Sequence, residues 1–306
     1  MALRQRCLHQ PIKESMRVVS VQEFRSREFG TVVFAGGGNR CWWQAGMVEG
    51  LRGSPVWKPT LFLGASAGAG IAVAAVTDRL RVSLAAAVDR FSITRANADW
   101  SKLLKGQRPF VLPQIYPDWI KSFLNGSDFQ RLRQSSIEVQ VALTRPIRFL
   151  PVAVSTAIAL ALYSTEKFWL RTLHGRWPHY AGLRSEHVVI NQCATVGEAS
   201  SLLLASAAAV PITPTHLVGG RVALDGGFYD SIPLPKEPNR TGGDTLVLVT
   251  RHRPQRPQIF ESGGRIYLQP TAAVPVTNMD CTKPVGVQRT FEQGLSEAAR
   301  LRGDTA

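Results

Sequence analysis

The sequence predicts one three-layer α/β domain with a mainly parallel central sheet flanked by helices. Two observations predict this fold class. Uninterrupted runs of apolar and β-branched residues, which are typical of strands buried on both faces, alternate with longer helical patterns. The chain also has 306 residues and 44% hydrophobic content, which is enough to form one large core without a second module.

The predicted elements follow this alternation along the chain. Short apolar or β-branched runs without Gly or Pro predict strands at residues 31–35, 61–63, 137–143, 188–192, 222–224, 245–249 and 265–268. Longer stretches that are rich in apolar and small residues predict helices at residues 42–51, 67–77, 84–91, 199–209 and 287–301.

The first predicted strand runs directly into a glycine-rich loop at residues 36–40, Gly-Gly-Gly-Asn-Arg. Glycines allow backbone N–H groups to approach an anion closely. A dinucleotide-binding turn is the alternative, but the third glycine of that fingerprint would fall at Cys41. The next strand also ends at Gly64 without a ribose-binding acid. The loop therefore favours oxyanion binding over nucleotide binding.

The second predicted strand leads into residues 64–68, Gly-Ala-Ser-Ala-Gly, a pattern typical of a nucleophile elbow. In such a strand-to-helix turn, Gly64 and Gly68 would let the strand and the helix close around a strained serine. The hydroxyl of Ser66 would then lie at a helix N-terminus, where free N–H groups favour the negative charge of acyl transfer. An ordinary turn of small residues is the alternative.

The predicted strand at residues 222–224 leads into a third motif, Asp225-Gly226-Gly227. Two glycines after an acid can present its carboxylate to a site without a blocking side chain. Asp-Gly is also among the commonest turn pairs, so the motif alone indicates little. The order of glycine loop, elbow serine and Asp-Gly-Gly is much more specific than any one of them.

With these motifs in this order, the chain resembles the patatin-like phospholipases, whose hallmark is a Ser-Asp dyad with a glycine-rich oxyanion loop. The resemblance covers about residues 30–250 and extends to residues 205–211 and 230–233, which are similar to the family's alanine/serine-rich stretch and its Asp-Asn-x-Pro tail. It implies a patatin-like fold and hydrolysis of phospholipids or other acyl-ester lipids, with no metal and no cofactor.

Carried over position by position, the resemblance implies that Ser66 is the nucleophile and Asp225 its base. Gly36, Gly37 and Gly38 would form the oxyanion hole, with N–H groups supplied by the last two. Acyl transfer would then pass through an acyl-enzyme that water hydrolyses.

Two residues depart from the family pattern. Cys41 replaces the glycine expected after Arg40, and Ser231 replaces the asparagine of the tail. Cys41 affects the turn behind the oxyanion loop and could narrow the entrance for the acyl chain. Neither departure removes a catalytic group.

Two other functions stay open from the sequence. The order Ser66, Asp225, His252 also matches the Ser…Asp…His order of an α/β-hydrolase triad, although His252 lies in a basic loop where a solvated histidine is common. A lipid-binding protein that keeps this fold without turnover is the second alternative.

The composition limits the kinds of binding partner and the cellular compartment that can be expected. The net charge of +14 favours an anionic membrane surface or simply an arginine-rich composition, and no nucleic-acid motif is present. The cysteines are few and widely spaced, which predicts neither a metal site nor a disulfide framework. With no apolar run of signal-peptide length near the N-terminus, the expected location is cytoplasmic, with peripheral contact to the inner face of a membrane left open.

The chain is expected to divide into a basic N-terminal extension at residues 1–29, of which residues 1–17 are expected to be mobile, a catalytic domain at residues 30–250 and a C-terminal part at residues 251–306 packed on the same domain. Residues 95–133, rich in Trp, Phe, Pro and Lys, predict a cap beside the serine.

An insertion at about residues 146–186 contains an uncharged apolar segment, residues 149–165, between basic residues. This segment predicts a buried or cap helix, a membrane-docking helix or, as a third alternative, a membrane span. The oligomeric state is left open.

Overall fold

The computed structural model of the protein describes residues 16–170, 172–237 and 241–303. The strands are β1 (Arg17–Val18), β2 (Phe29–Phe34), β3 (Trp57–Ala65), β4 (Glu138–Arg145), β5 (Arg184–Val189), β6 (His216–Val218), β7 (Arg221–Asp225), β8 (Asp244–Leu248), β9 (Ile259–Ser262) and β10 (Arg265–Leu268). The α-helices are α1 (Val21–Arg25), α2 (Cys41–Leu51), α3 (Ala67–Val76), α4 (Leu80–Ser92), α5 (Leu112–Phe123), α6 (Gly126–Gln134), α7 (Val152–Ser164), α8 (Trp177–Tyr180), α9 (Val196–Ser206), α10 (Gly227–Asp230) and α11 (Pro284–Arg302). Single 3₁₀ turns cover Gly38–Arg40, Trp100–Lys105 and Ile190–Gln192, and a π-helical turn covers Thr165–Trp169.

The strands form one sheet with the order β1-β9-β10-β8-β2-β3-β4-β7-β6, and β5 also pairs with β4. Its centre, β10-β8-β2-β3-β4, is parallel throughout, whereas both edges are antiparallel. The predicted mainly parallel sheet flanked by helices is therefore confirmed. Parallel strands need crossovers, and the helices α2 and α3 provide two of them.

Strand β2 lies at the centre, and every one of its residues is buried. Val32 and Phe34 point into the apolar layer that contains α2, α3 and α11, whereas Val33 and Leu63 point into the layer on the opposite face. Because both faces are covered, the central strands read as continuous apolar runs rather than as alternating ones.

Two predicted elements shift along the chain. The strand expected at residues 188–192 is β5, which begins at Arg184, runs antiparallel to β4 and ends at Val189, where the chain enters a 3₁₀ turn. Helix α9 begins at Val196 because Thr195 caps it, its side chain accepting from the N–H of Glu198 at 3.1 Å. The helix ends at Ser206, so residues 207–209 extend toward the site.

Residues 1–15 of the predicted N-terminal extension lie outside the described residues, and residues 17–29 of it pack against the rest of the protein. Strand β1 pairs with β9, and the ring of Phe24 in α1 is fully buried beside Phe29. The arginine-rich sequence of this segment did not indicate such packing, because arginines are usually exposed. Here Arg17 forms an ion pair with Glu23.

The cap and the apolar insertion both border the site. Helix α5, from the predicted cap, packs against α4 and α9. Helix α7, from the insertion, buries Ser155, Thr156 and Ala159 and exposes much of its remaining surface. Among the described helices, none combines the length and the hydropathy that a membrane span requires.

Candidate active site

Ser66 lies in a sharp turn between β3 and α3. Its backbone has φ 54° and ψ −132°, a conformation that non-glycine residues rarely adopt and that is often found at functional sites. Tight packing holds the turn in place. A Cβ on Gly64 would lie 2.5 Å from the Cα of Ala69, and a Cβ on Gly68 would lie 2.6 Å from the carbonyl oxygen of Phe34. Only glycine fits at these two positions.

The hydroxyl of Ser66 contacts a carboxylate directly. Ser66 Oγ donates to Asp225 Oδ2 at 2.8 Å, and the backbone N–H of Gly227 donates to Asp225 Oδ1 at 2.7 Å. Burial raises the pKa of Asp225 to about 6, and these two hydrogen bonds limit the rise. At neutral pH the carboxylate is therefore ionised and can accept a proton.

Strand β7 places Asp225 by pairing with β4. Thr144 Oγ1, on β4, donates to the carbonyl oxygen of Asp225 at 2.8 Å and accepts from the N–H of Tyr229 at 3.0 Å. A Cβ on Gly226 would overlap the carbonyl oxygen of Ala142. Glycine at position 226 therefore allows the chain to turn at the end of β7 while its backbone stays in close contact with β4.

Ser206, at the end of α9, connects the elbow to this turn. The N–H of Ser66 donates to Ser206 Oγ at 2.9 Å, and Ser206 Oγ donates to the carbonyl oxygen of Ala142 at 2.7 Å. The N–H of Gly226 donates to the Ser206 carbonyl at 3.1 Å. Sequence reasoning assigned Ser206 no role, and its only signal was a hydroxyl within a stretch of alanines.

The glycine loop lies against the same turn. The N–H of Gly36 donates to the carbonyl oxygen of Ser231 at 2.7 Å, so this amide is already bonded within the protein. The predicted membership of Gly36 in the oxyanion hole is corrected accordingly: its amide holds the loop to the turn after Asp225. Gly37 and Gly38 line the same cavity as Ser66.

The two remaining glycines of the loop have no room for a side chain. A Cβ on Gly37 would overlap the side chain of Thr250, and a Cβ on Gly38 would overlap the carbonyl oxygen of Asn278. Gly38 also has φ +55°. The loop backbone is therefore held close to its surroundings on both sides.

Cys41, which replaces the family glycine, is buried behind the loop. Its Sγ lies 3.5 Å from the carbonyl oxygen of Ala35, and burial raises the pKa of the thiol to about 12. The thiol is therefore protonated and inert at neutral pH. The turn in front of it is intact, since the N–H of Arg40 donates to the Gly37 carbonyl at 3.2 Å.

A cavity of about 220 Å³ opens above Ser66 and Asp225. Most of its lining is apolar, and α5 from the cap and α7 from the insertion contribute to it. The apolar lining includes Phe91, Ile115, Trp119, Leu160, Val210 and Phe228. An apolar lining of this kind is suited to a hydrocarbon chain, and the Ser66 hydroxyl and the Asp225 carboxylate are the polar groups at one end of it.

Comparison with known proteins decides the family. A family model for patatin-like phospholipase matches residues 32–236, more than half of the chain. The chain belongs to the patatin-like phospholipase family. Membership implies lipid acyl hydrolase activity, and it confirms the resemblance and the fold class predicted from the motifs.

No curated protein matches this patatin-like chain. Among solved structures it is similar to VipD from Legionella pneumophila, with 12% sequence identity and a TM-score of 0.47, over 90% of this chain and 67% of that one.

The patatin-like site does not include His252. Its ring Nδ1 lies 2.9 Å from the carbonyl oxygen of Pro270, and the residue is not part of the lining of the cavity above Ser66. The α/β-hydrolase arrangement, in which a histidine lies between serine and aspartate, is thus not formed. Within the described ranges, no group of three or more His, Cys, Asp or Glu side chains could hold a metal ion.

A second carboxylate of the patatin-like fold, Asp230, supports the turn that carries Ser231. Asp230 Oδ1 accepts from the N–H of Ile232 at 3.0 Å, and Oδ2 lies 2.7 Å from Nδ1 of His174. The other ring nitrogen of His174 lies 2.8 Å from the hydroxyl of Tyr267 on β10. This hydrogen-bond network joins the turn to the sheet. No local pattern in the sequence predicts that Asp230, His174 and Tyr267 come together.

Proposed function

We propose that this protein hydrolyses lipid carboxyl esters through a dyad of Ser66 and Asp225. The observation that carries the proposal is the 2.8 Å hydrogen bond from Ser66 Oγ to an ionised, partly buried carboxylate at the base of an apolar cavity. A base in direct contact with the nucleophile needs no intervening histidine.

In the proposed reaction, Asp225 accepts the proton of Ser66 while Oγ attacks the ester carbonyl. The N–H groups of Gly37 and Gly38 stabilise the oxyanion of the tetrahedral intermediate. Collapse of the intermediate breaks the bond to the lipid alcohol, which leaves with the proton from Asp225. Asp225 then takes a proton from water, whose oxygen attacks the acyl-enzyme, and the fatty acid leaves as the proton returns to Ser66.

The decisive experiment measures fatty acid release from a mixed lipid extract by the wild type, Ser66→Ala, Asp225→Asn and His252→Gln. The first two variants should lose at least about 10³-fold in rate, because nucleophile and base act as a unit. His252→Gln should change the rate less than about tenfold, short of the loss of a general base. Circular dichroism spectra of all four proteins provide the control for folding.

Three outcomes would contradict the dyad. Ser66→Ala at the wild-type rate would remove the serine mechanism. A folded His252→Gln as inactive as Ser66→Ala would replace the dyad with a triad. Lipid binding by the wild type without any release of fatty acid would make the protein a non-catalytic lipid-binding member of its family.

We propose further that the enzyme reaches its substrate by docking on an anionic membrane through the surface around α7. Large apolar side chains are exposed there: Phe149 and Trp169 are each 85% exposed, Leu170 50% and Val154 44%. Leu160 is 46% exposed and also lines the cavity, so this surface borders the cavity mouth. A lipid leaving the bilayer there would enter without full exposure to water.

The positive charge of the protein supports an anionic membrane as the occupant of this surface. The guanidinium of Arg148 lies 5.3 Å from the ring centre of Phe149, which places a cation beside one of the exposed aromatic side chains of this surface. With a net charge of +14, the protein is attracted to anionic lipid, at about 1 kcal/mol per basic residue near the surface.

Liposome co-sedimentation tests the docking surface. Val154→Glu/Leu170→Glu should weaken binding to anionic liposomes at least about tenfold, because charged groups would replace buried apolar area. The control Val18→Glu/Val285→Glu adds the same two charges at exposed apolar positions outside this surface and should bind nearly as the wild type. Equal losses in both variants, or none in either, would remove α7 from the membrane contact.

A further inference from the structure

The hydroxyl group of Ser206 lies behind the active site, bonded to the turn that carries Ser66. Its Oγ accepts from the N–H of Ser66 at 2.9 Å and donates to the carbonyl oxygen of Ala142 on β4 at 2.7 Å. A hydroxyl group has one proton, so donation to Ala142 leaves only its lone pairs for the Ser66 amide. Ser206 is fully buried and is not part of the cavity lining, so it meets the turn only from inside the protein.

The two peptide groups on either side of the Ser66 Cα are both held by hydrogen bonds. The N–H on one side is bonded to Ser206, and the carbonyl oxygen on the other side accepts from the N–H groups of Ala69 and Gly70 at 3.0 and 3.4 Å. Together these bonds fix φ and ψ of Ser66 at 54° and −132°. A backbone in such a rarely populated region persists only where its surroundings hold it. On the N-terminal side, the Ser206 hydroxyl is the group that does so.

The backbone that begins at Ser206 also holds the turn that carries the carboxylate. The carbonyl oxygen of Ser206 accepts from the N–H of Gly226 at 3.1 Å, and the carbonyl oxygen of Ala208 accepts from the N–H of Asp225 at 3.0 Å. One short segment is therefore bonded to the backbone on both sides of the contact between Ser66 Oγ and Asp225 Oδ2.

This segment is fixed independently of the Ser206 hydroxyl. Ser206 is the last residue of α9, and Thr213 binds the residues that follow it. Thr213 Oγ1 donates to the carbonyl oxygen of Ala207 at 3.0 Å and accepts from the N–H of Ala209 at 2.7 Å. Removal of the Ser206 hydroxyl should therefore release the amide of Ser66 while the backbone contacts of the segment remain.

We propose that Ser206 is a positioning residue, whose hydroxyl holds the backbone of Ser66 so that Oγ stays within hydrogen-bonding distance of Asp225. The inference rests on the proposed function, because this distance affects the rate only if the two side chains carry out the chemistry. A misplacement of reacting groups by about 1 Å can cost about 10²-fold in rate. Loss of the Ser206 hydroxyl should therefore lower the reactivity of Ser66.

The pH dependence of the reaction reports on the same contact. The hydrogen bond from Ser66 favours the ionised form of Asp225, so it lowers the pKa of this carboxyl group against the effect of burial. A Ser66 hydroxyl that points away would leave this pKa higher than in the wild type. Within the described ranges, the titratable side chains that interact with the charge of Asp225 are Cys41 and Tyr116, and burial raises the pKa of both. Both are therefore neutral in the range where Asp225 titrates.

The first experiment measures the rate at which a short fluorophosphonate labels Ser66. In this reaction Oγ forms a bond to phosphorus and fluoride leaves, while Asp225 takes the proton of the hydroxyl group. The control for Ser206→Ala is Ser83→Ala on α4, since Ser83 is also fully buried and its Oγ donates to the carbonyl oxygen of Leu80 at 2.8 Å. The rate should fall at least about tenfold in Ser206→Ala and less than about twofold in Ser83→Ala.

The second experiment measures kcat/KM for an uncharged short-chain ester from pH 4.5 to 9. In Ser206→Ala the plateau should be lower and the midpoint higher than in the wild type, whereas Ser83→Ala should keep the wild-type midpoint. Circular dichroism spectra check that both variants fold. If Ser206→Ala does not fold, Ser206→Cys replaces it under the same criteria, because a thiol fills the space but hydrogen-bonds only weakly.

Three results would overturn the positioning role of Ser206. They are labelling of the folded Ser206 variant at the wild-type rate, an equal loss of rate in Ser83→Ala, and a loss of rate with the wild-type midpoint. The labelling reaction needs no lipid, so it separates this inference from the proposed function. Fast labelling of the wild type and slow labelling of the Ser206 variant, without release of fatty acid from any lipid, would support the positioning role and refute only the proposed function.

Discussion

Asp225 combines a chemical task with an unfavourable position. Burial raises the pKa of its carboxyl group, so the charge that a base must carry at neutral pH is the charge that the surrounding protein disfavours. The hydrogen bonds from Ser66 and Gly227 offset only part of this effect. In the proposed mechanism, the ionised form of Asp225 therefore favours activity and disfavours stability.

Asp225→Asn should stabilise the protein at neutral pH. The pKa of Asp225 rises from 3.8 to about 6 on folding. The Asp225 carboxyl therefore makes its full favourable contribution to the free energy of unfolding below pH 3.8, and this contribution is lost as pH rises through about 6. An amide does not ionise, so at pH 8 the variant should exceed the wild type by up to about 3 kcal/mol in the free energy of unfolding. Urea denaturation at pH 4 and pH 8 checks this, and an equal difference at both pH values would contradict it.

The same pKa predicts the pH dependence of catalysis. The proposed base is active only when ionised, so kcat/KM for an uncharged ester should rise with pH and level off above a midpoint near 6. Initial rates from pH 4.5 to 9 measure the midpoint. A midpoint that moved strongly in His252→Gln would assign it to the histidine instead.

Sequence reasoning found the residues of the site that belong to local motifs. Ser66 directly follows β3 and Asp225 is the last residue of β7, and glycines lie close to both, so short sequence patterns identify them. Ser206 and Asp230 act through partners far away in the chain, and the amide of Gly36 is bonded to Ser231. No pattern within a few residues encodes such pairings.

At the scale of elements, the close contact of β3 and α3 makes the elbow intolerant of change. Gly64→Ala would place a Cβ 2.5 Å from the Cα and 2.6 Å from the N of Ala69, and backbone atoms cannot move aside easily. We expect a loss of at least about 3 kcal/mol in the free energy of unfolding, or no folded protein.

The matched control for this substitution is Gly126→Ala at the start of α6. A Cβ there meets no atom within 4 Å, and alanine should be neutral or stabilise by about 0.4–1 kcal/mol. Thermal denaturation of both variants provides the comparison. A Gly64→Ala protein as stable as Gly126→Ala would show that the elbow relaxes readily.

The central elements were predictable and the edges were not, for one physical reason. Strands buried on both faces have a continuous apolar sequence, which made β2, β3 and β8 visible. Strands β1, β6 and β9 are short and lie toward the edges, so their sequences carry little periodicity. The strand predicted at residues 188–192 begins four residues after the start of β5 at Arg184. The apolar residues near the end of β5 gave the strand signal, whereas its polar beginning gave none.

At the scale of the whole molecule, residues near both ends of the described chain are joined. Arg25 in α1 donates to the carbonyl oxygens of Leu301 and Arg300 at 2.7 and 3.0 Å, close to the end of α11. Helix α11 itself packs along α2, which begins just after the glycine loop. The predicted C-terminal part is thus in contact with the elements that carry the site.

Phe24 should contribute strongly to global stability, although it lies in the predicted N-terminal extension. Its side chain is fully buried and lies 5.1 Å from the ring of Phe29, so Phe24→Ala should cost about 3–5 kcal/mol. Val21→Ala on the same helix, where the side chain is 39% exposed, should cost less than about 1 kcal/mol. Guanidinium denaturation measures both, and similar small losses would show that α1 is dispensable.

The direct contact of Ser66 with Asp225 joins residues 159 positions apart. Strand β2, which leads into the glycine loop, also needs β8 as a neighbour, and β8 follows Asp225 in the chain. A chain emerging from the ribosome exposes its elbow long before the carboxylate and the closing strand have been synthesised. A nascent fragment that ends before β8 lacks a strand that supports the glycine loop, so the complete candidate site forms only after β8 has been synthesised.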